Sequence, residues 1–239
     1  MKKLVFGLIA TVIISGVSFA QANSKNPHDN VGKLHNDVVA SFQAKFAGSG
    51  LSISQACAET EKIVNANADI LKLNGGKPVK VSTELVVSAS TDITNQFKNV
   101  IGASKLSAAG KVKTQELMDY MFSIAFSSKY TTYQEFYNYV VSFENGVLAD
   151  TKLTSSDRSA ILSGTSTARY SVYFWDRQYG GQNQPNSAAR RGFWGSLLVG
   201  LCDAGGAVLG FMEAGSVTTA ISTGSAASNA AGEQIDKEK

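Results

Sequence analysis

Cysteine, histidine and proline are scarce: the 239 residues include 2, 2 and 3 of them. So few prolines leave long helices uninterrupted. Without a CxxC pair or a Cys/His cluster, zinc and thiol-redox chemistry have no ligand set to work with. The chain also lacks a serine-hydrolase elbow, a zinc-protease helix motif, a phosphate-binding loop and a dinucleotide fingerprint, so no cofactor is expected. Charge is equally sparse. Lys2 and Lys3 supply two of the formal net +3, and the near-neutral remainder shows no Lys/Arg cluster of the kind that binds nucleic acid.

What is present begins at the N-terminus. Met1-Lys2-Lys3 is a short basic start, Leu4 to Val17 is mostly apolar, and Ala20-Gln21-Ala22 places small residues two apart. This is the pattern of a secretory signal peptide over residues 1–22, with Asn23 as first mature residue and a periplasmic or extracellular destination. The apolar run is short for a bilayer span of ~20 residues. The mature part is long enough for one large domain or two small ones at ~100–200 residues each. In an exported chain, an even cysteine count reads as one disulfide, Cys57–Cys202. Two buried thiols are the alternative.

The mature chain has the periodicity of an all-α, multi-helix bundle. Asn26-Pro27-His28-Asp29 has the chemistry of a helix start, with Asn26 as N-cap and Pro27 at the first helical position. Val31, Leu34, Val38, Phe42 and Phe46 then recur at helical spacing. Ser52 with Gln55 opens a second helix through a capping box, whose stripe includes Cys57 and Val64. From about Ser82, Leu85, Ala89, Ile93, Phe97 and Ile101 step by four, which favours helix over strand. Further starts fall at Thr114, at Thr132 with Glu135, and at Thr154 to Asp157. Residues 23–179 form the bundle in this reading, and 180–191, containing Gly180-Gly181 and Pro185, form a linker.

Residues 192–232 read as a Gly/Ala-rich helical hairpin packed on the bundle, followed by a polar tail at 233–239. Phe193 to Met212 is apolar apart from Asp203. Its eight Leu, Val and Phe residues contribute roughly −2.4 to −4.8 kcal/mol to membrane insertion, against about +2.5 to +3.5 kcal/mol for a central Asp. Membrane contact through residues 193–212 is therefore marginal on energetic grounds. Cys202, Gly206, Gly210, Ala214, Thr218, Ser222, Ala226 and Ala230 step by four, a small-residue ridge that lets helix backbones approach closely. The ridge resembles the glycine zippers of membrane-active and bacteriocin-like peptides. A buried pair of core helices, with Asp203 paired or hydrated, is the bland alternative.

Candidate chemistry is confined to few side chains. His28, Asp29 and His35 form the one candidate functional cluster, although a seven-residue spacing sets the imidazoles about 10 Å apart along a helix. That is too far for one metal. Glu144 precedes Asn145-Gly146, which reads as a helix end, so it is expected in solvent. Aromatic residues at helical spacing read as core, and Tyr130 and Tyr139, off the stripe, as surface.

The run Asn26-Pro27-His28-Asp29-Asn30-Val31-Gly32-Lys33-Leu34-His35-Asn36 resembles a group of uncharacterised exported bacterial proteins. Their mature part opens with N-P-x-D-x-V-G-x-x-H-N and often ends in a Gly/Ala-rich stretch with an embedded aspartate, here Asp203. The resemblance implies export and helical character and carries no activity. The expectation is an exported, non-catalytic helical protein that binds a protein or cell-envelope partner or serves structurally. A membrane-active effector using 192–232 and a small histidine-dependent hydrolase are the alternatives.

Overall fold

The computed structural model describes residues 21–90, 96–125, 132–180 and 186–237. Residues 1–20 of the stretch read as a leader (1–22), Ile93, Tyr130 and the centre of the linker lie outside them. Among the described residues there are ten helices and no strand. They are α1 (Asp29–Phe46), α2 (Ile53–Ala66), α3 (Ala68–Leu73), α4 (Thr83–Ser90), α5 (Gln96–Ala103), α6 (Ala108–Ala125), α7 (Tyr133–Ala149), α8 (Ser155–Gly180), α9 (Asn186–Ala214) and α10 (Val217–Lys237). The protein is an all-α bundle. α9 begins, and α10 ends, inside the stretches read from sequence as linker and polar tail.

Several boundaries follow from local chemistry. Ser52/Gln55 and Thr132/Glu135 both form reciprocal capping boxes. α1 starts at Asp29, later than the Asn26 cap expected from sequence. Asn26 still shapes that start: its Oδ1 accepts from the His28 amide (2.8 Å) and its carbonyl from the Asp29 amide (3.1 Å). Two other expectations fail. Thr114 lies buried inside α6, which starts at Ala108 because Ser107 and Asp157 cap it there. Asn145-Gly146 does not end α7, which continues to Ala149 on the burial of Val147.

The core is a ring of four helices, α1, α8, α9 and α10, with small residues at each junction. A Cβ on Gly32 of α1 would overlap the Ser166 carbonyl of α8. One on Gly164 of α8 would sit 2.6 Å from Val208 of α9, and one on Gly206 of α9 would sit 3.0 Å from the Thr223 carbonyl of α10. Gly210 meets the Thr219 carbonyl in the same way, so α9 and α10 run antiparallel. Gly215 makes their reversal with φ +63°, the left-handed conformation suited to a helix C-terminus. α10 closes the ring on α1, where Gly224 lies against the His35 ring.

The remaining helices cover this ring. α6 and α7 lay Leu117, Met118, Met121, Phe136, Val140 and Val147 over α8 and α9. α2 and α4 cover α10 with Cys57 and Val86 against Ala226 and Ala230. Cys202 belongs to another cluster, with Val39, Ala89 and Trp175. The disulfide expected from sequence is therefore absent: both thiols are free, buried and held apart by the helices that pack them.

Glycine substitutions separate close approach from mere helix propensity. Gly32→Ala should destabilise the fold by about 1–3 kcal/mol, because the added methyl meets backbone rather than a yielding side chain. Gly146→Ala, in α7 with nothing near its Cβ position, should stabilise by about 0.5–1 kcal/mol. Urea unfolding of both variants measures the contrast.

Candidate functional site

Asn23, Asn26, Asp29, Gly32 and His35 share one face of the segment entering α1 and of α1 itself, because steps of three or four residues return to the same side of a helix, while Asn30 and Lys33 face solvent. That face is inserted into the bundle and feeds two buried networks.

The first network centres on Glu144 of α7 and Arg169 of α8, both fully buried. Glu144 accepts from Asn23 Nδ2 (2.6 Å), Asn26 Nδ2 (2.7 Å), Thr165 Oγ1 (2.8 Å) and Arg169 Nε (3.2 Å). Arg169 also donates to Asp29 Oδ1 (2.5 Å) and to the Gln21 carbonyl. The Tyr170 hydroxyl donates to Asp29 Oδ2 at 3.1 Å. Burial alone would lower the Arg169 pKa, but Glu144 and Asp29 outweigh it and hold the guanidinium charged. Glu144 is thus not in solvent as its sequence position implied; continuation of α7 past Gly146 turns it onto α8.

The second network is built on Asp203 of α9, and it draws one residue from every helix of the ring. Asp203 Oδ2 accepts from Ser171 Oγ of α8 and from Ser228 Oγ of α10 (2.9 Å). His35 Nε2 of α1 faces it at 3.5 Å. Trp175 Nε1 donates to Ser228 Oγ (3.0 Å), extending the chain. Asn36 Nδ2 donates to the Tyr170 carbonyl (2.8 Å), which turns its Oδ1 to His35 Nδ1 (3.0 Å) and assigns the ring proton to Nδ1.

His35 and Asp203 are fully buried, so each favours its neutral form. Burial pulls the His35 pKa down to about 4, against opposing bonds to Asn36 and Gly224. Burial also pushes Asp203 well above the ordinary carboxylate range, against the Ser171 and Ser228 bonds. In the folded state the pair therefore keeps its one proton on Asp203. The neighbouring Cys202 thiol is raised by burial and then by Asp203, which leaves it unreactive.

The structure thus divides the sequence-derived cluster. Asp29 joins the first network and His35 the second, while His28 stands aside, half-buried with its ring edge-on to Phe211. Gly206 and Gly210 sit at the α9–α10 contact. Sequence reasoning found Asp203 and His35 but not Arg169, Ser171, Ser228 or Asn23. The available signal was a lone Arg in the Ser/Thr-rich run 163–171, where no solvated face was evident. Among the described residues, no three His, Cys, Asp or Glu side chains converge as metal ligands.

No family model, no curated protein and no solved structure matches the chain.

Removing one partner of the first network should cost far more than removing the pair. Arg169→Met strands Glu144 and should destabilise by about 3–5 kcal/mol. Adding Glu144→Gln should recover part of that loss, and a double-mutant cycle by urea unfolding reads the coupling.

The second network sets a pH dependence. His35, with its folded pKa lowered, favours folding above 6.5 and loses stability as pH falls towards about 4. Asp203, with its folded pKa raised, loses stability as pH rises above 3.8. Between about 4 and 6.5 the two slopes oppose each other. Above 6.5 His35 is neutral in folded and unfolded chains alike, which leaves the Asp203 decline unopposed. Asp203→Asn should abolish this alkaline decline relative to the wild type, as read by denaturation midpoints across pH.

Proposed function

We propose that the chain is an exported, non-catalytic helical protein with a binding or structural role. The observation that carries this reading is the complete burial of His35, Glu144 and Asp203. These side chains have the chemistry of acid–base catalysis, and each is spent on joining helices. A reacting group must instead reach its substrate within hydrogen-bonding distance. Export rests on the leader pattern of residues 1–22.

A membrane-active role is the second reading, favoured by one feature. Gly195–Ala214 of α9 is long and apolar enough to cross a bilayer, although 83% of its most apolar window is buried among the other helices. Insertion would take Asp203 away from Ser171 and Ser228.

A fusion of the leader and mature chain to a phosphatase active only outside the cytoplasm should be active. The purified mature protein should release no dye from anionic vesicles at neutral pH. Release by the intact chain would favour the effector reading. An ester or peptide turnover that disappears in His28→Asn or His35→Asn variants would replace the non-catalytic reading with the hydrolase one.

A further inference from the structure

The segment after the leader is part of the core, and it discriminates between two processing sites. The sequence offers small residues two apart at Ser18-Phe19-Ala20 as well as at Ala20-Gln21-Ala22. Cleavage after Ala22 would start the chain at Asn23; cleavage after Ala20 would start it at Gln21.

We infer that processing occurs after Ala20 and that the mature chain begins at Gln21; this rests on the reading of residues 1–22 as an export leader. The Gln21 carbonyl accepts from the buried guanidinium of Arg169. The Ala22 carbonyl accepts from the Tyr137 hydroxyl of α7 at 2.8 Å. The Asn23 amide donates to Asp29 Oδ1 at 3.0 Å, and its side chain to Glu144. Residues 21–23 thus tie α7 and α8 to the start of α1 through backbone as well as side chains.

Hydrolysis after Ala22 removes both carbonyls. Arg169 Nη1, fully buried, and the half-buried Tyr137 hydroxyl each lose an acceptor, and the cost falls mainly on Arg169, since a buried donor left without one is costly. The sole gain is an ammonium at Asn23 in place of an amide, facing an Asp29 carboxylate already bonded to Arg169 and Tyr170. Hydrolysis after Ala20 adds water across the Ala20–Gln21 bond, leaving a carboxylate on the leader and an amine on Gln21. It removes none of these contacts.

The test is the intact mass of the protein recovered after export of the full chain from a bacterial host. The expected mass is that of residues 21–239, with or without loss of one ammonia. That loss reports cyclisation of the N-terminal glutamine, in which the α-amine attacks the side-chain carbonyl carbon and the amide nitrogen leaves. A mass of residues 23–239 would overturn the proposal while leaving export intact. An uncleaved chain would overturn the export reading and this one together. Leaderless chains prepared to begin at Gln21 and at Asn23 give the second measurement. The shorter one should melt lower, by on the order of 5 °C. Equal melting would mean that the two carbonyls carry no weight, and the proposal would fail.

Discussion

Asp203 of α9 contacts the other three helices of the central ring at one level, and the register of all four depends on it. Ser171, Ser228 and His35 each reach it from a different helix. Sliding any helix by one turn would withdraw its partner and leave a polar group orphaned away from water. An apolar residue could fill the same volume, but it would hold no particular register, since hydrophobic contact is non-directional. The carboxyl avoids most of the cost of burial by staying protonated, which is why its two serine donors suffice without a cation.

A polar hub requires thin walls. Serine is short, so Ser171 and Ser228 reach Asp203 only because the helix backbones lie unusually close. Gly32, Gly164, Gly206 and Gly210 provide that closeness, each at a point where a methyl group would strike a neighbouring helix. The same closeness explains why α8 is buried although its residues 163–171 are largely Ser and Thr. Its side chains are too small to form an apolar stripe, and the packing comes from backbone proximity. The Glu144–Arg169 network performs the corresponding task at the edge of the ring, where α7 and the N-terminal segment join α8 and α1.

This architecture decides what was legible in the sequence. Helices with apolar stripes and polar caps, such as α2 and α7, were readable because periodicity and capping chemistry act locally. The small-residue ridge of α9 and α10 was readable for the same reason. The ends of α6 and α7 were not, because Ser107 and Asp157 meet across 50 residues, and Gly146 is tolerated where Val147 packs. The partners of Glu144 and Asp203 lay further out of reach. A buried Arg or Ser differs from an exposed one only through contacts that no spacing rule encodes. The disulfide failed on similar grounds: compartment and count favoured it, while packing put Cys57 and Cys202 in different clusters.

α9 is where length and composition point one way and packing the other. As an isolated segment it could cross a bilayer; in the bundle its small-residue ridge is already occupied by α10. Releasing it would expose the glycine seams on both sides and strand Ser171, Ser228 and His35 along with Asp203. These losses fall together because all four helices share one hub. A segment with an independent role would be joined to the bundle by contacts that can break separately. α9 is joined by contacts that break only as a set, so on this packing its release would dismantle the whole ring.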